Sequence, residues 1–137
     1  MIDINDLIQA YTKDPVGNQK PQDFCCSYLL WNSVCGDDIE VFLNLDDAGN
    51  IIDFGYLGHP SMFTITAASL LSEDLIARKK TPYQELMTWD LEYMKHLGFH
   101  VSPRRQRSAV APLLACRNAI HKWLHDDIVE TFDDLLK

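Results

Sequence analysis

The chain has 137 residues, 47% of them apolar and 23% charged, which reads as one globular domain, residues 1–137, with room for a single core. Twelve basic against twenty acidic residues leave a net charge of −8. That balance excludes the cationic footprint of general nucleic-acid or membrane-surface binding, and no run approaches the ~20 apolar residues of a membrane span.

The opening MIDINDLIQAY is acidic and amphipathic, with Ile4, Leu7, Ile8 and Tyr11 at helical spacing and Asp3 placed as a cap; it does not read as a signal peptide. The four cysteines are therefore expected to stay reduced in a cytoplasm, as thiols or ligands before disulfides. KDPVGNQKP then ends the helix with two prolines and a glycine. Residues 24–31 are rich in aromatic and apolar side chains and predict a strand. Residues 39–45 alternate, with Ile39, Val41, Leu43 and Leu45 on one face. DDAGN is a hairpin turn with glycine where φ must be positive, and IIDFGYL completes a three-stranded antiparallel meander.

From Ser61 the period becomes helical, with the small residues Ala67, Ala68 and Ser69 allowing close packing. Thr81-Pro82 predicts a helix start, running to about His96 and stopping at Gly98. Ser102-Pro103 opens a further helical stretch over 102–123, and a short acidic amphipathic helix is expected from about Asp126. Strands first and helices after give an α+β fold, with the helices packed on one face of the meander.

Between the first two strands lies SVCGDD, a thiol, a glycine and carboxylates at a hairpin tip. Thiol and carboxylate together can hold a metal or pass on a sulfur atom. No Gly-rich phosphate loop, nucleotide motif or Ser-His-Asp order recommends catalytic turnover, so the chain is not read as an enzyme.

Four segments in order carry a resemblance. YTKDPVGN is similar to a helix-ending Tyr-x-x-(Asn/Asp)-Pro signature, and CGDDIEVFLNLDDAGNIIDFGY to a Cys-Gly-Asp hairpin followed by Gly-x-Ile-x-Asp and an aromatic. GHPSMFTITAASLLSE and SPRRQRSAVAPLLACRNAI stand where two helices open on a second and a third cysteine. Over residues 3–123 the chain resembles the NifU-like (IscU/SufU-type) iron–sulfur cluster scaffold family, SufE/NifU-like in fold. The resemblance makes Cys35 and Asp37 metal ligands. It puts Ser61 and Ser108 where the family has its other two cysteines, and HVSPRRQ in place of its chaperone-recognition motif. It also places Ser108 beside Cys35, so that the cluster Arg104, Arg105 and Arg107 would border the thiol, lowering its pKa or contacting an acidic partner.

A cluster or zinc wants about four soft or borderline donors, and a neutral serine is a poor one. Cys116 follows Ser108 by eight residues, about 12 Å along a helix, too far to fill the same site. Cys25 and Cys26 point to opposite faces, on the order of 20 Å from the tip, and with Cys116 read first as core thiols. His59, two residues before Ser61, is the further candidate ligand. His121 and His125 form an i, i+4 pair that reads as an exposed polar face before a weak metal site, while His96 and His100 have no ligand spacing to Cys35.

Three functions follow. The first is a divergent scaffold for iron–sulfur cluster assembly, binding iron, a cluster or zinc weakly if at all through Cys35 and Asp37, with a homodimer able to share it. The second is a SufE-like acceptor of persulfide sulfur from a cysteine desulfurase, with Cys35 as nucleophile. The third is a metal-free docking or regulatory paralogue. Partners implied by the resemblance are a cysteine desulfurase and other cluster-assembly proteins.

Overall fold

The computed structural model describes residues 3–33 and 36–136. Helix α1 (Ile4–Lys13) starts at Asp3, whose carboxylate accepts from the Asn5 N–H at 3.0 Å. Three long antiparallel strands follow: β1 (Cys26–Asn32), β2 (Asp37–Leu45) and β3 (Asn50–His59). The β2–β3 turn closes as the sequence predicts. Asp46 Oδ1 accepts from the N–H groups of Ala48 and Asn50 at 3.0 and 2.9 Å, and Gly49 takes φ +83°.

Helix α2 (Met62–Arg78) packs on β3, and α5 (Gln106–Leu124) packs on β1 and β2 and against α2. Both cover the same face, so the α+β arrangement and the one-sided helical layer match the sequence reading. Ile39, Val41, Leu43 and Leu45 line that face and are all buried, each gaining about 2 kcal/mol on leaving water. Ala67, Ala68 and Ser69 are fully buried, and the Ser69 hydroxyl accepts from the Val16 N–H at 3.0 Å, tying the first loop to α2. Among the described residues, no helix is long and apolar enough to cross a membrane.

Two expectations are corrected. A helix does start here, at Tyr83 with Pro82 as its cap residue, but Thr81-Pro82 is not its first turn: it forms a short fourth strand, β4 (Thr81–Pro82), paired with Asn50 and Ile51 at the sheet edge. The single helix expected to His96 is two, α3 (Tyr83–Leu86) and α4 (Leu91–His96). The break falls where Trp89 turns inward to stack on Tyr93 at 3.9 Å and Asp90 recaps the chain, accepting from the Glu92 N–H at 3.0 Å. Burial of a large aromatic outweighs helix continuity here. The 102–123 stretch begins with a 3-10 turn, Pro103–Arg105, before α5.

The C-terminal helix begins later than expected, as α6 (Phe132–Leu136), because the chain after α5 first runs back along that helix. His121 is the reason. It is buried, with Nδ1 at 2.7 Å from Asp126 and Nε2 at 2.7 Å from Glu130. The reading of His121 and His125 as an exposed polar face therefore holds only for His125. As a metal pair they fail, because both His121 nitrogens are taken and His125 sits in the left-handed cap of α5 at φ 56°.

Candidate functional site

The site is the end of the meander where β1 turns into β2. Cys35, its central residue by sequence, lies outside the described residues. The turn around it is closed by the Gly36 N–H donating to the Asn32 carbonyl at 2.8 Å. Asn32 and Asp37 face each other across β1 and β2. Both lie on the helix-covered face, and both are buried, at 2% and 4% exposure.

Asp37 is bound to the start of α2. Its Oδ2 accepts from the Ser61 N–H at 3.1 Å and from the Thr64 hydroxyl at 2.9 Å. The donors are the cap and a first-turn residue of a 17-residue helix, an end whose dipole favours a carboxylate. Ser61 is the cap of that helix. Its hydroxyl accepts from the Thr64 N–H at 3.3 Å and meets the Thr64 hydroxyl at 3.2 Å. The sequence reading does not include this cap; its signal is the serine itself, directly before the helical run.

Ser108 is fully buried in the first turn of α5. The starts of α2 and α5 meet through Arg105, whose guanidinium lies 4.5 Å above the ring of Phe63. Arg107 lies 5.0 Å above the ring of Phe132, which the returning C-terminal segment brings there. Arg104 is exposed. Two of the three arginines thus rest on aromatic faces, a role the charge pattern alone does not reveal.

His59 is placed away from Asp37. Its side chain is 91% exposed and pairs with Asp38, whose Oδ1 accepts the His59 N–H at 2.9 Å and whose Oδ2 lies 3.5 Å from the ring. Cys26 and Cys116 are buried neighbours. Burial, with the adjacent Cys25, pushes the Cys26 thiol up, and burial pushes Cys116 well up, so both are inert core thiols. Cys25 departs from the core reading: it is exposed, and its Sγ accepts from the Leu45 N–H at 3.4 Å.

Among the described residues, no group of three or more His, Cys, Asp or Glu side chains is placed to hold a metal ion. Asp37 is occupied at Oδ2 by helix donors, Ser61 is committed as a cap, and His59 faces Asp38. The described residues alone therefore do not make up the donor set of a four-ligand zinc or iron–sulfur centre.

One feature of the site costs stability. Among the described residues, neither polar side-chain atom of buried Asn32 has a hydrogen-bond partner. An orphaned amide costs about 1–3 kcal/mol, so Asn32→Leu is expected to stabilise the fold by roughly 1 kcal/mol, a rise of about 3 °C in the thermal midpoint. A midpoint that falls in a calorimetric scan would show the amide is satisfied in solution.

No family model and no curated protein matches the chain. Solved structures do. A NifU-like protein (N-terminal) from Brucella abortus superposes with a TM-score of 0.69 at 14% identity, over 90% of this chain and 99% of that one. A putative iron–sulfur cluster assembly scaffold protein for the SUF system from Fervidobacterium islandicum AW-1 gives 0.66 at 19%, over 84% and 94%. A crystallised hypothetical protein gives 0.66 at 15%, over 85% and 96%. The fold is therefore the NifU/SufU-like α+β fold that the sequence motifs point to.

Proposed function

We propose that this chain serves iron–sulfur cluster assembly as a sulfur acceptor built on the scaffold fold, with Cys35 as the residue that carries the sulfur. The likeness to the two scaffold-type structures supports the assembly role. The observation that favours acceptance over cluster holding is the engagement of Asp37 and Ser61 with each other across the β2–α2 junction. It spends two of the candidate ligand positions on fixing the hairpin tip to a helix, and it leaves one thiol for chemistry.

One thiol suffices for persulfide transfer. The Cys35 thiolate attacks the outer sulfur of a persulfide on a cysteine desulfurase. The S–S bond of the donor breaks, its electron pair leaves with the donor cysteine as thiolate, and Cys35 holds the sulfur as a new persulfide. There is no net oxidation, no metal is required and the step is stoichiometric, so the role is that of a carrier and not an enzyme. Arg104, Arg105 and Arg107, at the start of α5, would favour the thiolate. The thiol must be reduced to react, which suits a cytoplasmic setting, and the sulfur passes on to further cluster-assembly proteins.

The protein incubated with a cysteine desulfurase and cysteine, without reductant, is expected to gain one sulfur atom by intact mass, mapped to Cys35. Cys35→Ala should gain none, while Cys25→Ala, which removes the exposed thiol among the described residues, should gain the same amount as the parent. Labelling that survives in Cys35→Ala would overturn the assignment.

A further inference from the structure

The outer face of the sheet, opposite the helices, is covered toward one end only. The register sets out three rows on it: Ser27–Phe42–Gly55, then Leu29–Glu40–Leu57, then Trp31–Asp38–His59. The chain's own loop covers the first row. The Gln19 carbonyl lies 2.0 Å from where a Cβ on Gly55 would sit, so only glycine fits beneath it. Phe24 packs edge-on to Phe42 at 5.0 Å, and Lys20 lies over both rings at 5.0 and 5.6 Å.

The other two rows are bare. Trp31 is 63% exposed, Leu29 50% and Leu57 38%, an apolar patch on a strongly acidic chain. Contiguous exposed apolar side chains of this size mark a contact surface, and tryptophan is the side chain most often central to one. Glu40 sits between Leu29 and Leu57 in the middle of the patch and forms no ion pair among the described residues. Asp38, by contrast, is already engaged with His59. The patch reaches the functional end of the molecule, because Trp31–Asp38 is the last rung but one before the turn that contains Cys35.

We propose that this bare part of the outer face is the docking surface for the protein that donates the sulfur. That partner would present a lysine or arginine to Glu40, set among apolar side chains that cover Leu29, Trp31 and Leu57. The inference rests on the sulfur-acceptor reading, since it names where that donor sits. An apolar patch supplies the affinity, and the single carboxylate at its centre fixes the register and rejects acidic surfaces. The net charge of −8 steers the same class of partner.

The test measures binding of a cysteine desulfurase to the full chain by calorimetry, and persulfide loading of Cys35 against acceptor concentration. Trp31→Ala and Glu40→Lys are each expected to weaken binding at least tenfold and to raise the half-saturating concentration without changing the maximal loading rate. Ile76→Ala, at a side chain 66% exposed on α2, should change neither. Added salt should weaken the parent more than Glu40→Gln. Both variants binding and loading like the parent would overturn the docking surface while leaving the acceptor role intact. A parent that binds the desulfurase but never gains sulfur would instead overturn the acceptor role.

Discussion

Alanine at Asp37 is expected to lower the unfolding free energy by about 3 kcal/mol, read from urea transitions at neutral pH. The carboxylate is 4% exposed and holds two donors, the Ser61 N–H and the Thr64 hydroxyl. Truncation leaves both without their buried acceptor, at about 1–2 kcal/mol each, and opens a small void. It also removes a carboxylate from the start of α2, which has no acidic residue in its own first turn. Asp37→Asn keeps an acceptor oxygen and is expected to cost roughly 1 kcal/mol. If Asp37→Ala were as stable as the parent, the hairpin tip would not be anchored through this residue.

The second large effect lies at the other end of α5. Glu130 is reached by Arg117 at 2.5 and 3.1 Å and by His121 at 2.7 Å, and its backbone is matched to the Asn118 amide at 2.8 and 3.1 Å. The Arg117 and Glu130 side chains are 14% and 11% exposed, so the pair is largely desolvated. Removing one partner of such a pair leaves the other charge uncompensated, and Glu130→Ala is expected to cost about 3 kcal/mol. The segment it fastens carries Leu135, fully buried, so hydrogen exchange should rise first in α6.

The same cluster predicts a pH dependence. Burial disfavours charging His121, but its hydrogen bonds to Asp126 and Glu130 outweigh that and raise its pKa above the ordinary 6.5. The folded chain therefore holds this proton more tightly than the unfolded one. The stability it contributes is complete below about pH 6.5 and is lost as pH rises through the raised folded value. In Glu130→Ala, which keeps only the Asp126 partner, the loss should be smaller and complete at lower pH. A parent whose stability is flat or rising with pH across that window would contradict the assignment.

The fold was largely legible because its signals are local. The alternation over Ile39–Leu45, the Asp46–Asn50 turn and the Asp3 cap are each set by residues near one another in sequence, and each appears as expected. The Thr81–His96 stretch misled because its outcome depends on distant partners. Thr81 pairs with Ile51, and the Trp89 carbonyl accepts from Arg117 at 2.8 Å, neither of which a helix-start signal can report. His121 misled for the same reason, since its partners lie beyond the end of its own helix.

At the site, the sequence located the tip but not the use of its residues. Resemblance pointed to Asp37, Ser61 and Ser108 as present or replaced ligand positions. Only the three-dimensional contacts reveal that Asp37 and Ser61 bind each other's elements, and that Asn32 is buried opposite with its amide unmatched among the described residues. His59 stayed ambiguous in sequence because spacing cannot distinguish a ring aimed at Asp37 from one paired with Asp38.

The most direct test is a single anaerobic incubation of the untagged protein with a cysteine desulfurase, cysteine and ferrous iron, followed by a visible spectrum and an intact mass under native conditions. The acceptor account predicts a colourless protein that carries one added sulfur atom on Cys35 and no iron. Sulfide-to-iron absorption with stoichiometric iron retained on the chain would contradict it, and would require a donor set that Asp37, Ser61 and His59, as placed here, do not supply.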